Sequence, residues 1–240
     1  MPLALVTGGS AGLGRALAHG LADAGWTVIA DGRDADRLAA AADRPGIVAI
    51  PGDVSDTDHR AALVAAVRER GPLDLLVHNA STLGPLRGDT RLPRLADVTV
   101  DDLQHVWRHN LGAPLVLTTQ LLPDLRAAGG ILLAISSDAA VEHYEGWGLY
   151  GASKAGLDHI ALTFAAENPE ITSYAVDPGD MRTQMHADAF PGEDISDRPL
   201  PESVVPHLLA LLAERPASGR YRAREFSLRA DIVRALQGVV

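Results

Sequence analysis

The sequence predicts an α/β fold, a doubly wound parallel sheet of about seven strands with helices on both faces. Three observations predict it. Short apolar runs alternate with longer amphipathic stretches from the first residues onward. Hydrophobic residues make up 47% of the chain and aromatic residues only 4%, with Ala, Leu and Val abundant, which suits helices packed on a sheet. The first apolar run also leads directly into a glycine-rich turn at Gly8–Gly14.

Taken in order, the strand candidates are Leu3–Thr7, Thr27–Ala30, Ile47–Pro51, Leu73–His78, Ile131–Ser136, Thr172–Asp177 and Tyr221–Ser227. Helical patterns occupy Gly12–Ala24, Ala35–Asp43, Asp56–Arg70, Val100–Arg126, Gly148–Glu167 and Pro201–Arg215. Asp34, Ser55 and Thr99 stand where N-caps are expected, and Gly25, Gly71 and Gly129 stand just past helix ends. No repeat or linker divides the 240 residues, so one domain over 1–240 is expected. Two stretches break the rhythm, Ser81–Thr99 and Gly179–Pro201. Both follow strands at the carboxyl edge, where open parallel sheets bind ligands, and 179–201 is the expected substrate loop.

Composition excludes several classes. A formal charge of −10 argues against nonspecific binding to nucleic acid or anionic lipid. The absence of cysteine removes disulfides, thiolate catalysis and Cys-based zinc sites. The amino-terminal residues lack a basic segment followed by a long apolar one, and every apolar run is far shorter than the roughly 18 residues a membrane span needs. A cytoplasmic protein with no nucleic-acid or membrane partner is expected.

The turn Thr7-Gly8-Gly9-Ser10-Ala11-Gly12-Leu13-Gly14 joins the first strand to the first helix. Glycines there permit a tight turn and close approach of backbone to a pyrophosphate, while the helix amino terminus offers free amides. The spacing Gly8–Gly12–Gly14 is one residue longer than the usual dinucleotide fingerprint, and its null is an ordinary β–α turn. No GK[ST] follows, which disfavours a P-loop nucleotidase. Selection of cofactor falls to the end of the second strand, Asp31-Gly32-Arg33. Asp31 offers a carboxylate for a ribose diol, the NAD(H) alternative. Arg33 offers a planar fork for a 2′-phosphate, and NADP(H) is favoured on that account.

Tyr150 and Lys154 lie four apart, on one face of a predicted helix. A phenol titrates near about 10, and a neighbouring ammonium together with a cationic nicotinamide is expected to pull that value down. Tyr150 then serves as general acid or base for a carbonyl or alcohol. A Tyr–Lys pair alone is common. Its context is not: Asn79-Ala80 follows the fourth strand, Asn110 lies in a long helix, Ser137 ends the fifth strand, and Pro178-Gly179 with Thr183 follows the sixth.

On the Thr7–Gly14 turn, Asp53-Val54, Asn79-Ala80, Asn110, Ser137, Tyr150/Lys154 and Pro178-Gly179 with Thr183, the chain resembles the short-chain dehydrogenase/reductase family over nearly its whole length. The resemblance implies a Rossmann-like fold and an NAD(P)-dependent oxidoreductase acting on a small alcohol or carbonyl. It also implies the roles. Ser137 would orient the substrate oxygen, Lys154 would bind the nicotinamide ribose, and Asn110 would hold a water linking Lys154 to solvent. Gly8, Ser10, Gly12, Leu13 and Gly14 would cradle the dinucleotide. Asp53 and Val54 would meet the adenine, Asn79, Ala80, Pro178 and Gly179 would line the cofactor cleft, and Thr183 would touch the carboxamide. A homodimer or homotetramer built on the helices around Asp101–Arg126 and Gly148–Glu167 is implied too. The chain departs from the pattern at His78 and Ser81, within what is usually Asn-Asn-Ala-Gly, and at Asp177 before Pro-Gly.

Other candidates are weaker. His105 and His109 share a helix face, but no HExxH occurs and no third ligand is indicated, so no metal site is expected. Glu142, His143, Tyr144 and Trp147 stand where the family places substrate-binding residues, and Met181, Met185, His186 and Phe190 could cover an apolar substrate. No GxSxG supports a hydrolase. The competing readings are a non-catalytic dinucleotide-binding regulator or redox sensor on the same fold and, more weakly, an epimerase or dehydratase.

Overall fold

A computed structural model describes residues 1–86 and 92–227. Its seven strands are β1 (Leu3–Val6), β2 (Thr27–Gly32), β3 (Ile47–Pro51), β4 (Leu75–His78), β5 (Ile131–Ile135), β6 (Thr172–Asp177) and β7 (Gly219–Arg222). They form one sheet in the order β3-β2-β1-β4-β5-β6-β7, and every neighbouring pair is parallel. The helices are α1 (Gly12–Asp23), α2 (Ala35–Ala41), α3 (Thr57–Arg68), α4 (Val100–Trp107), α5 (Ala113–Ala128), α6 (Gly148–Glu167), α7 (Gln184–Ala189) and α8 (Val205–Glu214).

The strand period of two sorts the apolar residues into two layers. Ala4 and Val6 of β1 and Ile131, Leu133 and Ile135 of β5 pack with α1 and α8 through Leu17, Leu21, Leu208 and Leu212. Leu3 and Leu5 of β1 and Leu132 and Ala134 of β5 turn the other way, onto Leu63 and Val67 of α3, Leu117 and Leu121 of α5, and Leu157 and Ala161 of α6. Strands buried on both faces read as unbroken apolar runs, which is why β1, β4 and β5 are plain in the sequence. The chain winds outward from β1 to β3 and then returns to place β4 on β1's other side. That reversal opens a crevice beyond the carboxyl ends of β1 and β4.

Several local expectations need correction. Asp56, not Ser55, caps α3, accepting from the Asp58 and His59 amides, while the Ser55 amide itself donates to Asp53. Thr99 does cap α4, in a reciprocal box with Asp102, and Asp34 caps α2. The predicted helix Val100–Arg126 is two helices joined by a π-helical turn, Arg108–Gly112. Pro114 has no N–H to give the carbonyl four residues back, which is Asn110, so the regular ladder cannot run through that point. The last strand begins and ends earlier than Tyr221–Ser227. Its ladder is set by β6, whose pairing stops at Asp177 opposite Arg222, after which the chain turns at Ala223–Glu225. Within 179–201, Thr183 caps the short helix α7 with its hydroxyl on the His186 amide.

Candidate functional site

The glycine turn is locked from below. The Gly8 amide donates to Asp31 Oδ1 at 2.6 Å, and the Gly9 amide to the Asp31 carbonyl at 2.7 Å. Gly8 has φ of 70°, and a Cβ there would come within 2.9 Å of Ala80 Cα. Asn79 completes the lock, its side-chain amide donating to the Thr7 and Gly8 carbonyls at 2.9 and 3.2 Å. Gly14 lets α1 approach, since a Cβ would stand 2.3 Å from the Gly8 carbonyl oxygen. Gly12 differs. Its φ is 54° and a Cβ would meet only Thr183, at 3.5 Å, so the turn opens there onto a space bounded by the segment after β6. That cradle fits a dinucleotide pyrophosphate.

Asp31 is 1% exposed. Its second carboxylate oxygen lies 3.2 Å from His59 Nε2, and the residue stands in the lining of the cavity. Arg33 is exposed and lines the cavity together with Arg37. Beside them, burial works to raise the Asp53 carboxyl, but hydrogen bonds from Ser55 and the nearby His109 charge outweigh it and hold the group below its usual value. His109 Nε2 is 3.5 Å from Asp53, and its ring stacks at 4.6 Å on His105. His109 is thus part of the cavity's lining.

The cavity encloses about 490 Å³, within the ordinary range for small-molecule sites. Gly8, Ser10, Gly12, Leu13, Arg33, Asp53, Val54, Asn79, Ala80, Ser137, Tyr150, Lys154, Pro178, Gly179 and Thr183 all line it. Of the residues singled out from sequence, Gly14 and Asn110 stand behind its wall instead.

Tyr150 and Lys154 project from α6 and are buried, at 7% and 2% exposure. Lys154 Nζ lies 5.6 Å from the centre of the Tyr150 ring and donates to the Ile135 carbonyl at 2.9 Å. Burial lowers this ammonium to about 8, while the carboxylate of Asp158, one turn further along α6, raises it. Burial drives the Tyr150 phenol far above its usual value, and the Asp138 and Asp177 charges add to this; nearby hydroxyls of Ser81 and Ser137 work the other way. Burial prevails over these hydroxyls, because loss of water costs the phenolate more than their hydrogen bonds return.

Asn110 is fully buried and joins two segments. Its Oδ1 accepts from the Thr82 amide, and its Nδ2 donates to the Thr82 carbonyl and to Ser153 Oγ, each at 2.9 Å. Ser153 in turn donates to the Tyr150 carbonyl at 2.6 Å. Asn110 therefore ties the chain after β4 to α6. Ser137 Oγ is engaged by Asp138 Oδ1 and the Ala139 amide, at 3.0 and 3.2 Å.

Sequence reasoning overlooked a second network behind the reacting pair. Asp158 Oδ2 accepts from Ser136 Oγ at 2.8 Å and from Arg220 Nε at 3.1 Å, and Arg220 also donates to the Ser137 carbonyl at 2.8 Å. The position of Asp158, four after Lys154, was a usable signal; Arg220 comes from a distant strand and gave none. Over the substrate half, Trp147 packs edge-on against Tyr150 with centroids 5.6 Å apart, and stacks on Phe190 of the α7 segment. Met181, Met185 and His186 line the cavity, whereas Glu142, His143 and Tyr144 do not. Tyr144 instead hydrogen-bonds Asp138.

Residues 2–194 match the family described as short chain dehydrogenase. An uncharacterised oxidoreductase of Saccharomyces cerevisiae is 31% identical over 186 residues, covering 75% of this chain and 71% of the relative. A crystal structure of a short chain dehydrogenase from Shigella flexneri complexed with NADP superposes with a TM-score of 0.82 at 28% identity, covering 93% of this chain and 97% of that one. One from Escherichia coli complexed with NADPH gives 0.82 at 28% identity, covering 93% and 96%. The chain belongs to the short-chain dehydrogenase/reductase family of oxidoreductases.

Proposed function

We propose that this chain interconverts an alcohol and a carbonyl with NADP(H), using Tyr150 as the general acid and base. The observation that carries the reading is the placement of the Tyr150 phenol and the Lys154 ammonium on one cavity wall with Ser137. When bound, the nicotinamide dinucleotide supplies the hydride donor or acceptor, and its oxidised ring brings a positive charge. The cradle at Gly12, with Ser10 and Leu13, holds the pyrophosphate, and Asp53 and Val54 hold the adenine. Asn79 and Ala80 shape the floor; Pro178, Gly179 and Thr183 close the nicotinamide end.

Tyr150 passes a proton to a carbonyl oxygen under reduction, or takes one from an alcohol under oxidation. Ser137 gives up its bond to Asp138 to hold that oxygen. Lys154 binds the ribose, and Asn110 fixes α6 against the chain after β4. Arg33, seconded by Arg37, supports NADP(H) over NAD(H), as do the NADP-bound relatives. Trp147, Met181, Met185 and Phe190 favour an apolar substrate surface.

We also take the chain to act as one domain, with 179–201 as its substrate loop. Half-exposed Leu103 and Trp107 on α4, with Leu115 and Val116 on α5, support a homo-oligomer. The test of function is a binding titration with NADPH and NADH followed by a screen of ketones and aldehydes for cofactor oxidation. Tight binding without turnover on any carbonyl would favour a dinucleotide sensor.

A further inference from the structure

Ser81 stands where the family pattern has glycine, three residues past β4. It lines the cavity with Ser137 and Tyr150. Its Oγ is sealed from solvent yet makes no hydrogen bond of good geometry. Such orphaned hydroxyls are uncommon in folded proteins and call for an explanation. The segment around it is fastened: both backbone polar groups of Thr82 are bound by Asn110, and the Gly84 amide donates to Thr82 Oγ1. Ser81 is therefore held at the cavity wall by its neighbours, its own hydroxyl not committed to any of them. The Tyr150 phenol shares this cavity wall, close enough that the Ser81 hydroxyl works against the upward push of burial. A glycine would offer no side chain there.

We propose that Ser81 is a positioning hydroxyl of the reacting centre, donating to the Tyr150 oxygen from the β4 side and so stabilising its phenolate form. Ser137, arriving from β5, is then free to serve the substrate oxygen. The inference rests on the oxidoreductase reading above. A phenolate oxygen can accept several hydrogen bonds, so donation from Ser81 leaves room for the proton to pass between Tyr150 and substrate. Ser81 keeps its own proton throughout. The other charged or titratable groups bearing on the phenol are Lys154 on α6, Asp138 after β5, Asp177 at the end of β6, and Asp180, His186 and Asp188 in the segment that closes the cavity. All remain in place when only residue 81 is changed.

The test is an ultraviolet titration of phenolate in the full chain saturated with NADP+, or with NAD+ if that binds better. The wild type is compared with Ser81→Ala, Ser81→Gly and Ser81→Thr, and Tyr150→Phe is subtracted to isolate one tyrosine. Ser81→Ala and Ser81→Gly should move the Tyr150 titration upward by about half a unit to one unit, roughly a three- to tenfold change in its ionisation constant. Ser81→Thr, which retains a hydroxyl, should restore most of the shift. A Tyr150 titration unchanged in both hydroxyl-free variants, or a Ser81→Thr variant that behaves as they do, would overturn the role of Ser81 while leaving the oxidoreductase reading intact. Failure to bind either dinucleotide would sink both.

Discussion

Asp158 follows Lys154 by one turn of α6, and the buried carboxylate holds up an ammonium that burial alone would drive lower still. Burial also raises Asp158, against hydrogen bonds from Ser136 and Arg220 and the Arg220 and Lys154 charges. In Asp158→Asn the charge that raises Lys154 is gone, so Lys154 gives up its proton at lower pH than about 8. The alkaline limb of the pH–rate profile should therefore move toward acid. Breaking the pair with Arg220 should also cost on the order of 3 kcal/mol of stability. A denaturant melt and a pH–rate profile check both, and an alkaline limb that stays put would contradict the link.

The proposed preference for NADP(H) turns on Arg33. The Asp31 carboxylate is held by Gly8 and His59, and Arg33 stands exposed in the cavity lining beside Arg37. Arg33→Ala should weaken NADPH binding by roughly 10- to 100-fold, the worth of a charge-assisted contact. NADH binding should barely change. Fluorescence titrations of both cofactors decide it, and equal losses for the two would remove Arg33 from phosphate recognition.

His78 makes the fold sensitive to acid. It is buried on β4 with Nε2 2.6 Å from Thr118 Oγ1, and Nδ1 has no partner. Burial, assisted by the Lys154 charge, lowers it from 6.5 to about 3. A depressed folded value means stability is fully present above the unfolded value near 6.5 and is lost as pH falls toward 3. The loss is about 1.4 kcal/mol for each pH unit in that window. His78→Asn should flatten the stability curve between those limits, read by urea melts at a series of pH values.

The half-exposed Leu103 and Trp107 should lie in a contact between copies. Replacing Trp107 with Arg should shift the sedimentation profile toward monomer at micromolar concentration without lowering the melting temperature of the isolated chain. A wild type that sediments as a monomer would end the oligomer proposal.

How much was legible in advance depended on whether a signal was local. The strands β1, β4 and β5 are continuous apolar runs because both their faces are covered, and the glycine turn carries its own constraint at Gly8, Gly12 and Gly14. The order of the site residues along the chain was enough to place Ser137, Tyr150 and Lys154 on one cavity. What escaped was set by distant partners. Nothing near Tyr221 says that its strand must start at Gly219; the β6 ladder decides that. That the Asp31 carboxylate is held by Gly8 and by His59, 28 residues away, has no local signature. The phenol's upward shift follows from burial, which local sequence does not reveal.

The central claim is that the Tyr150 hydroxyl carries the proton, and it is tested most directly by the turnover of Tyr150→Phe with NADPH and a carbonyl that the wild type reduces. Loss on the order of 10²- to 10⁴-fold, with NADPH still bound and the fold intact, is the predicted result. Turnover within a few-fold of wild type in a folded, cofactor-binding variant would contradict it.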